Sequence, residues 1–472
     1  MTLQGASVNP STDNAFVSPD NIRAAFSAAL SAMYRDEVPA YGTLMDLVAE
    51  VNGKVLAGDN ELRESLTATN SLARISDERH GAIRLGTPAE LAMMRRVFAV
   101  MGMSPVGYYD LSEAGVPVHS TAFRPIGEEA LSINPFRVFT SLLRLDLIAD
   151  EALRAEAEAV LSRRQIFTDG AIALVEKAEK EGGLNEADAK TFVAEVIETF
   201  RWHDKASVSA EMYKRLHDAH RLIADVVSFK GPHINHLTPR TLDIDAVQDL
   251  MPTRGITPKA VVEGPPARNC PILLRQTSFK ALEEPVSFRD ESGEWKSGSH
   301  TARFGEIEQR GIALTPKGRA LYDRLLTETR KLVRPAADGS NAAAYVEALR
   351  DTFKQFPDSW AEIREQGLGY FNYTPVEGAT ASAAGDIEAL VAQGAVRFDP
   401  ITYEDFLPVS AAGIFQSNLG DNAAQEFVAS PNQRRFETDL GASVLNEFEH
   451  YASIERASIE ACLARFGKQV AA

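Results

Sequence analysis

Gly231-Pro232-His233-Ile234-Asn235-His236-Leu237-Thr238-Pro239-Arg240 places two histidines in a run too short and too proline-bounded for a helix. A strand over His233 to Pro239 is the expected form. Far upstream, Glu78-Arg79-His80-Gly81-Ala82-Ile83-Arg84 carries another histidine with similar flanks, and Glu306 and Glu308 follow downstream in RFGEIEQRG. Two histidines on separate strands with one carboxylate make the facial triad of non-haem iron enzymes, which keeps coordination positions open for substrate and oxygen.

Outward from these segments, the order of elements suggests a duplicated unit. Arg79 to Leu85 reads as a strand, and Thr87-Pro88-Ala89-Glu90 as a capping box opening a helix with Leu91, Met94, Phe98 and Met101 on its apolar stripe. Strands are expected at Pro105 to Leu111, Val118 to Phe123 and Phe136 to Leu147, giving β-α-β-β-β. The order returns after residue 230: a strand over His233 to Pro239, a helix over Asp243 to Met251, and strands at Ala260 to Glu263, Ile272 to Lys280 and His300 to Gln309, with a further short one at Val286 to Arg289. The fold expected is α+β, with two βαβββ units forming a barrel-like sheet around a metal.

The rest of the chain reads as helical. Residues 1–75 form an N-terminal segment, in which Ser18-Pro19-Asp20 caps a helix to about Asp36 and a second helix covers Tyr41 to Leu56. The first unit spans 76–150. An insertion over 151–230 has helices at 151–163, 168–181, 186–201 and Ala210 to Phe229. The second unit spans 231–311. A C-terminal segment, 312–472, has helices from Thr315-Pro316 to about Leu332 and at 341–355, 358–367 and 382–393. Its tract 403–420, YEDFLPVSAAGIFQSNLG, is apolar and poor in charge, as expected of a loop buried against a site.

Bulk properties exclude several classes. The 472 residues carry a net charge of −17, which argues against nucleic acid. Hydrophobic content of 44% and charged content of 24% are those of a soluble globular protein. Two cysteines, Cys270 and Cys462, give neither a disulfide framework nor a thiolate metal cage. The N-terminus lacks a signal peptide, no apolar run approaches the ~18 residues of a membrane span, and a cytoplasmic protein is expected.

Of the nine histidines, His203, His217, His220 and His450 are expected in polar, solvated helices. In a strand, His233 and His236 point to opposite faces, so only one can reach a given site. Glu306 and Glu308 share a face, and parity cannot choose between them. The alternative is that His80 and one of the pair are hydrogen-bonded core residues. Placement favours ligation: each histidine falls in the first strand of a unit and the glutamates in the last strand of the second. The last strand of the first unit, FRVFTSLLRL, offers no histidine or carboxylate, so three ligands leave an open side. Arg84 faces the same way as His80 along one strand, their Cα atoms ~13 Å apart. Its guanidinium could hold a substrate carboxylate bidentately, or form a surface salt bridge.

Seven stretches carry a wider resemblance: ERHGAIRLG, VGYYDLSEAGVPVHSTAFRP, NPFRVFTSLLRL, FKGPHINHLTPRTLDIDA, PILLRQTSFKAL, SHTARFGEIEQRG and EDFLPVSAAGIFQSNLG. In these the chain resembles the 2-oxoadipate dioxygenase/decarboxylase family, a divergent branch of the vicinal oxygen chelate superfamily. The resemblance implies Fe(II) as cofactor with His80, His236 and Glu306 as its ligands, which selects His236 over His233 and Glu306 over Glu308. It implies Arg84 as the arginine that grips the substrate, and Val409 and Ser410 as pocket wall. The implied activity converts 2-oxoadipate and O2 to D-2-hydroxyglutarate and CO2, by oxidative decarboxylation followed by hydroxylation, in lysine breakdown. The partners implied are thus a 2-oxo diacid and O2. Competing readings are extradiol-type ring cleavage on the same triad, glyoxalase-type isomerisation, which would add a fourth ligand that FRVFTSLLRL lacks, and a metal-free binding module.

Overall fold

Capping residues start the helices where the sequence places them. A computed structural model describes residues 16–68, 71–279, 281–290, 292–336, 339–380, 386–407 and 431–470. The Ser18 side chain accepts from the Asn21 N–H, and Pro19 opens the helix Pro19–Glu37. Thr87 and Glu90 form the capping box of the helix Pro88–Val100. Glu90 also pairs with Arg164 at 2.7 Å, which ties this helix to the inserted segment. The insertion's first three helices are Glu151–Leu161, Asp169–Glu181 and Glu186–Phe200. Among the described residues no helix is long and apolar enough to cross a membrane.

Twelve strands are described: β1 Arg79–Leu85, β2 Met103–Asp110, β3 Val118–Pro125, β4 Arg137–Leu143, β5 Lys205–Ser209, β6 Leu237–Pro239, β7 Leu274–Ser278, β8 Glu283–Arg289, β9 Trp295–Thr301, β10 Glu306–Arg310, β11 Phe371–Pro375 and β12 Val396–Pro400. The main sheet runs β2-β3-β4-β1-β6, with β1 parallel to β4 and antiparallel to β6. Beyond β6 the pairing repeats in reverse. A parallel bridge joins Arg240 to Glu308, β10 pairs antiparallel with β7, and Glu263 bridges Gln276 antiparallel. The chain order strand-helix-strand-strand-strand therefore gives the same neighbours in the same senses twice. Each unit's last strand lies parallel to its first, and the two first strands meet at β1 and β6. The described strands do not close into a barrel.

One face of β1 and β4 is apolar: Ile83, Leu85, Val138 and Leu142 pack with Leu91, Met94 and Phe98 of the helix Pro88–Val100. The other face carries His80, Ala82 and Arg84 beside Arg137, Phe139 and Ser141, and all of these are buried. Period-2 alternation thus separates a core face from a polar inner face within one sheet.

Four expectations need correction. The strand over His233 to Pro239 is real only from Leu237. His233 has φ +25°, and the next two N–H groups go to different elements, Ile234 to the Phe200 carbonyl and Asn235 to the Ala82 carbonyl, so no ladder forms. The strand over His300 to Gln309 is two, β9 and β10, because the Phe304 N–H bonds to the Asn235 carbonyl and Gly305 sits against the Phe279 ring. The helix over Ala210 to Phe229 breaks at His220, whose extended backbone and Nδ1 cap the helix Arg221–Ser228. Ala260 to Glu263 makes only isolated bridges with the β7 region. Nor are the added segments all helical. The insertion contains β5, which pairs with β8 of the hairpin β8–β9, and the C-terminal segment contains the antiparallel pair β11–β12.

Gly305 yields the first prediction. A Cβ there would lie 1.9 Å from Cε1 of Phe279, a ring in the core. Gly305→Ala should destabilise the protein by about 1–3 kcal/mol in chemical denaturation. A wild-type unfolding midpoint would refute the close packing at this turn.

Candidate metal centre

His80 on β1, His236 just before β6 and Glu306 at the start of β10 converge, with one donor atom of each within 4.8 Å of the others. All three are fully buried. His80 Nε2 lies 3.1 Å from Glu306 Oε2. The Thr238 hydroxyl donates to Glu306 Oε2 at 3.0 Å and lies 2.9 Å from His236 Nδ1. A hydroxyl has one hydrogen, so His236 Nδ1 must be the donor in the second contact, which leaves Nε2 with the lone pair. His80 Nδ1 lies 3.2 Å from Glu308 Oε2 and 3.4 Å from Arg137 Nη2, and its Nε2 turns to Glu306. A carboxylate or hydroxyl behind each ring nitrogen is the arrangement that orients metal-ligating histidines.

Burial alone would lower the proton affinity of His80, yet the Glu308 and Glu306 carboxylates outweigh it and raise the imidazole above its usual value. Burial would raise Glu306, and His236, His80 and Thr238 reverse the sign, holding it below the usual carboxylate range. The centre thus favours positive charge among its donors, which a divalent cation also supplies. Glu306 Oε1 is buried with no hydrogen-bond partner among the described residues. Two imidazoles and one carboxylate that keeps an unsatisfied oxygen fit a borderline divalent metal such as iron.

Around the triad lies a charged network that sequence reading left out. Glu308 Oε1 accepts from Arg137 and, at 2.8 Å, from Arg310 Nε. Arg310 also pairs with Glu78 at 2.6 Å and with Glu404. Arg240 binds Glu78 at 3.0 Å, and Arg74 binds Glu404 at 2.5 Å. Every one of these side chains is buried. The one signal in the sequence is charge at alternate positions of strands that must be buried, as in Glu306-Ile307-Glu308-Gln309-Arg310. Phe406 stacks edge-on against His80 at 4.9 Å, with the Arg137 guanidinium over its ring at 4.7 Å. The described part of the expected active-site loop, 403–407, is therefore buried against the centre. Val409 and Ser410 lie outside the described residues.

His233 does not join the triad. Its ring turns to Asp225 at 3.3 Å, where His300 Nε2 also lies 2.9 Å from the same oxygen. The other oxygen of Asp225 takes Arg84 Nη1 at 2.6 Å. Arg84 thus makes an ion pair, but a buried one behind the site and not a surface bridge. Burial opposes the charge on Asp225, but His233 and Arg84 hold its carboxyl well below the usual range. Asp225 was missed in the sequence, although it is the only acid in the apolar run LIADVV. His203 lies in a loop and His220 in a cap, not in helices. A hollow of about 350 Å³ at the far end of β3 and β4, lined by His119, Arg144 and Asp146 among others, contains none of the triad.

Comparison with known proteins identifies the family. The profile of the family described as 2-oxoadipate dioxygenase/decarboxylase matches residues 26–418. A protein of that name from Pseudomonas putida is 59% identical over 95% of this chain and 97% of its own. One from Escherichia coli is 55% identical over 94% and 98%. The crystal structure of the Pseudomonas putida hydroxyglutarate synthase in complex with 2-oxoadipate superposes with a TM-score of 0.88 at 56% identity, covering 97% of this chain and all of that one. With an inner-face triad and full-length matches of this identity, the chain belongs to the 2-oxoadipate dioxygenase/decarboxylase family.

Proposed function

We propose that the protein is a cytoplasmic Fe(II)-dependent enzyme that converts 2-oxoadipate and O2 to D-2-hydroxyglutarate and CO2 in lysine breakdown. The observation that carries this reading is the convergence of His80, His236 and Glu306, with Arg84 on the same face of β1 as His80. The names of the full-length relatives support the substrate. His80, His236 and Glu306 would hold the iron, which when bound would activate O2 beside the 2-oxo acid end of the substrate.

The chain's other residues orient and shield. Arg84, fixed at Nη1 by Asp225, grips the distal carboxylate. With the metal end fixed by chelation and the far end by a guanidinium, one face of the carbon beside the new carboxylate is presented, which gives a single stereoisomer. Phe406 covers His80 and keeps water from that side, and Val409 and Ser410 complete the pocket wall. The atoms balance without a reductant. C1 leaves as CO2, one oxygen enters the new carboxylate and the other the hydroxyl. Cleavage of C1–C2 and oxidation of a C–H bond supply two electrons each.

Three outcomes follow for measurement. His80→Ala, His236→Ala and Glu306→Ala should each lose iron and turnover while circular dichroism stays native. His233→Ala should keep iron near one per chain. Loss of iron in His233→Ala but not His236→Ala would reverse the ligand assignment. Glu308→Gln should weaken iron affinity by about 10–100-fold, since it removes the partner that orients His80. Wild-type affinity in a chelator competition would rule that partner out. In steady-state kinetics 2-oxoadipate should be preferred over 2-oxoglutarate and over 2-oxohexanoate, which leaves the arginine unpaired at a cost of about 1–3 kcal/mol. Arg84→Ala should level these preferences, and Arg84→Lys should stay impaired because a point charge does not replace a bidentate fork. Equal selectivity in wild type and Arg84→Ala would remove Arg84 from substrate recognition.

A further inference from the structure

Beside the triad, buried polar atoms without a hydrogen-bond partner among the described residues lie across three neighbouring strands. They are Glu306 Oε1 and Glu308 Oε2 on β10, Ser278 Oγ with Gln276 Oε1 and Nε2 on β7, and Glu263 Oε2 on the segment that bridges β7. Register puts them on one face. Ser278 is directly opposite Glu306, Gln276 is opposite Glu308, and Glu263 bridges Gln276. Side chains directly opposite in an antiparallel pair stand on the same side, with Cβ atoms about 4.5–5.5 Å apart. Glu306 points to the two histidines, so Ser278 stands beside the triad and Gln276 beside Glu308, on the same face of the strand pair. Gln276 is 1% exposed and Ser278 0%. A buried amide or hydroxyl left unpaired is costly, and such groups recur where a ligand completes them.

We propose that Gln276 and Ser278 bind the substrate directly, donating hydrogen bonds to the carboxylate or carbonyl oxygens of the 2-oxo acid at its metal end. The match is one of donors to acceptors. The Gln276 amide N–H2 and the Ser278 hydroxyl can both donate, and the 2-oxo acid head presents acceptors only. Lys259, whose N–H bonds to the Ser278 carbonyl and whose side-chain nitrogen lies 4.0 Å from Glu263, stands along the same edge, where burial pushes it down to about 7 and an anionic ligand would favour its charged form. Arg84 would then read the length of the diacid, and Gln276 with Ser278 the plane of its chelating end. This assignment rests on the functional reading above.

The test uses the full-length, iron-loaded protein and the variants Gln276→Met and Ser278→Ala. Iron content should match wild type in both. Without substrate, Gln276→Met should unfold at a midpoint equal to or above that of wild type, because a near-isosteric apolar side chain replaces an unpaired amide. Under anaerobic conditions, the rise in midpoint caused by 2-oxoadipate should shrink in both variants, and KM should increase about tenfold. A lower midpoint for Gln276→Met without substrate, or a full wild-type response to 2-oxoadipate, would overturn the proposal and leave Gln276 as a structural residue. If wild type itself shows neither turnover nor a thermal response with 2-oxoadipate, it is the functional reading that fails. The substrate-free midpoint then still decides whether Gln276 forms an open ligand-binding wall.

Discussion

Glu308 is the carboxylate on which the geometry of the centre depends. It accepts from Arg137 and Arg310 and faces the ring nitrogen of His80 that points away from the triad. Through Arg310 it connects to Glu78 and Glu404, and through these to Arg240 and Arg74. Seven charged side chains, from β4, β10, the residues flanking β1 and β6, and the loop that carries Phe406, thereby alternate in sign. Burying them is unfavourable unless each meets its partners, and removing one partner of a buried pair typically costs about 3–5 kcal/mol. Alternation of sign makes the elements around His80 mutually dependent: a shift of any strand breaks a pair. The rigidity a metal site needs in its surroundings is supplied here by charge together with the rings of Phe406 and Phe304 against the two histidines.

The duplicated pairing explains why the donors arrive from distant parts of the chain. β1 and β6 are the first strands of the two units and lie antiparallel, with His80 opposite Thr238. His236 precedes β6 by one residue, so each unit delivers one histidine near the junction. The parallel neighbour of each first strand then brings the charge. β4 sets Arg137 beside His80, and β10 sets Glu308 beside Arg240. The asymmetry between a cation on one side and carboxylates on the other means that the last strand of the second unit adds a donor to the triad and the last strand of the first does not.

Much of this was legible in the sequence because periodicity and capping are local. The capping box at Thr87, the helix starts at Pro19 and Pro88, the order of strands and the shared face of Glu306 and Glu308 all follow from residues close in sequence. What was not legible depends on tertiary partners. The parity argument for His233 and His236 assumed extended backbone, whereas His233 sits at positive φ because its neighbours bond to separate elements. The two rings nevertheless part as expected, since a turn also sends them in different directions. Arg84 could be placed on the correct face, but Asp225, 141 residues away, could not be matched to it. Likewise β5 has no partner until β8 is built, and so read as a gap between helices.

The partners of Arg84 have a different origin from the triad. His80, His236 and Glu306 all sit on strands of the two units or beside them. Asp225 belongs to the helical insertion, and His300 to the hairpin β8–β9 that interrupts the second unit. These two additions meet each other through β5 and β8, and through Tyr213, whose hydroxyl contacts His300 at 2.8 Å. The strands of the repeat thus carry the three converging donors and Arg84 itself, while the segments added to it supply the groups that fix Arg84. Such a division lets the two change separately: rebuilding the added pieces would move the guanidinium and leave the donor set in place.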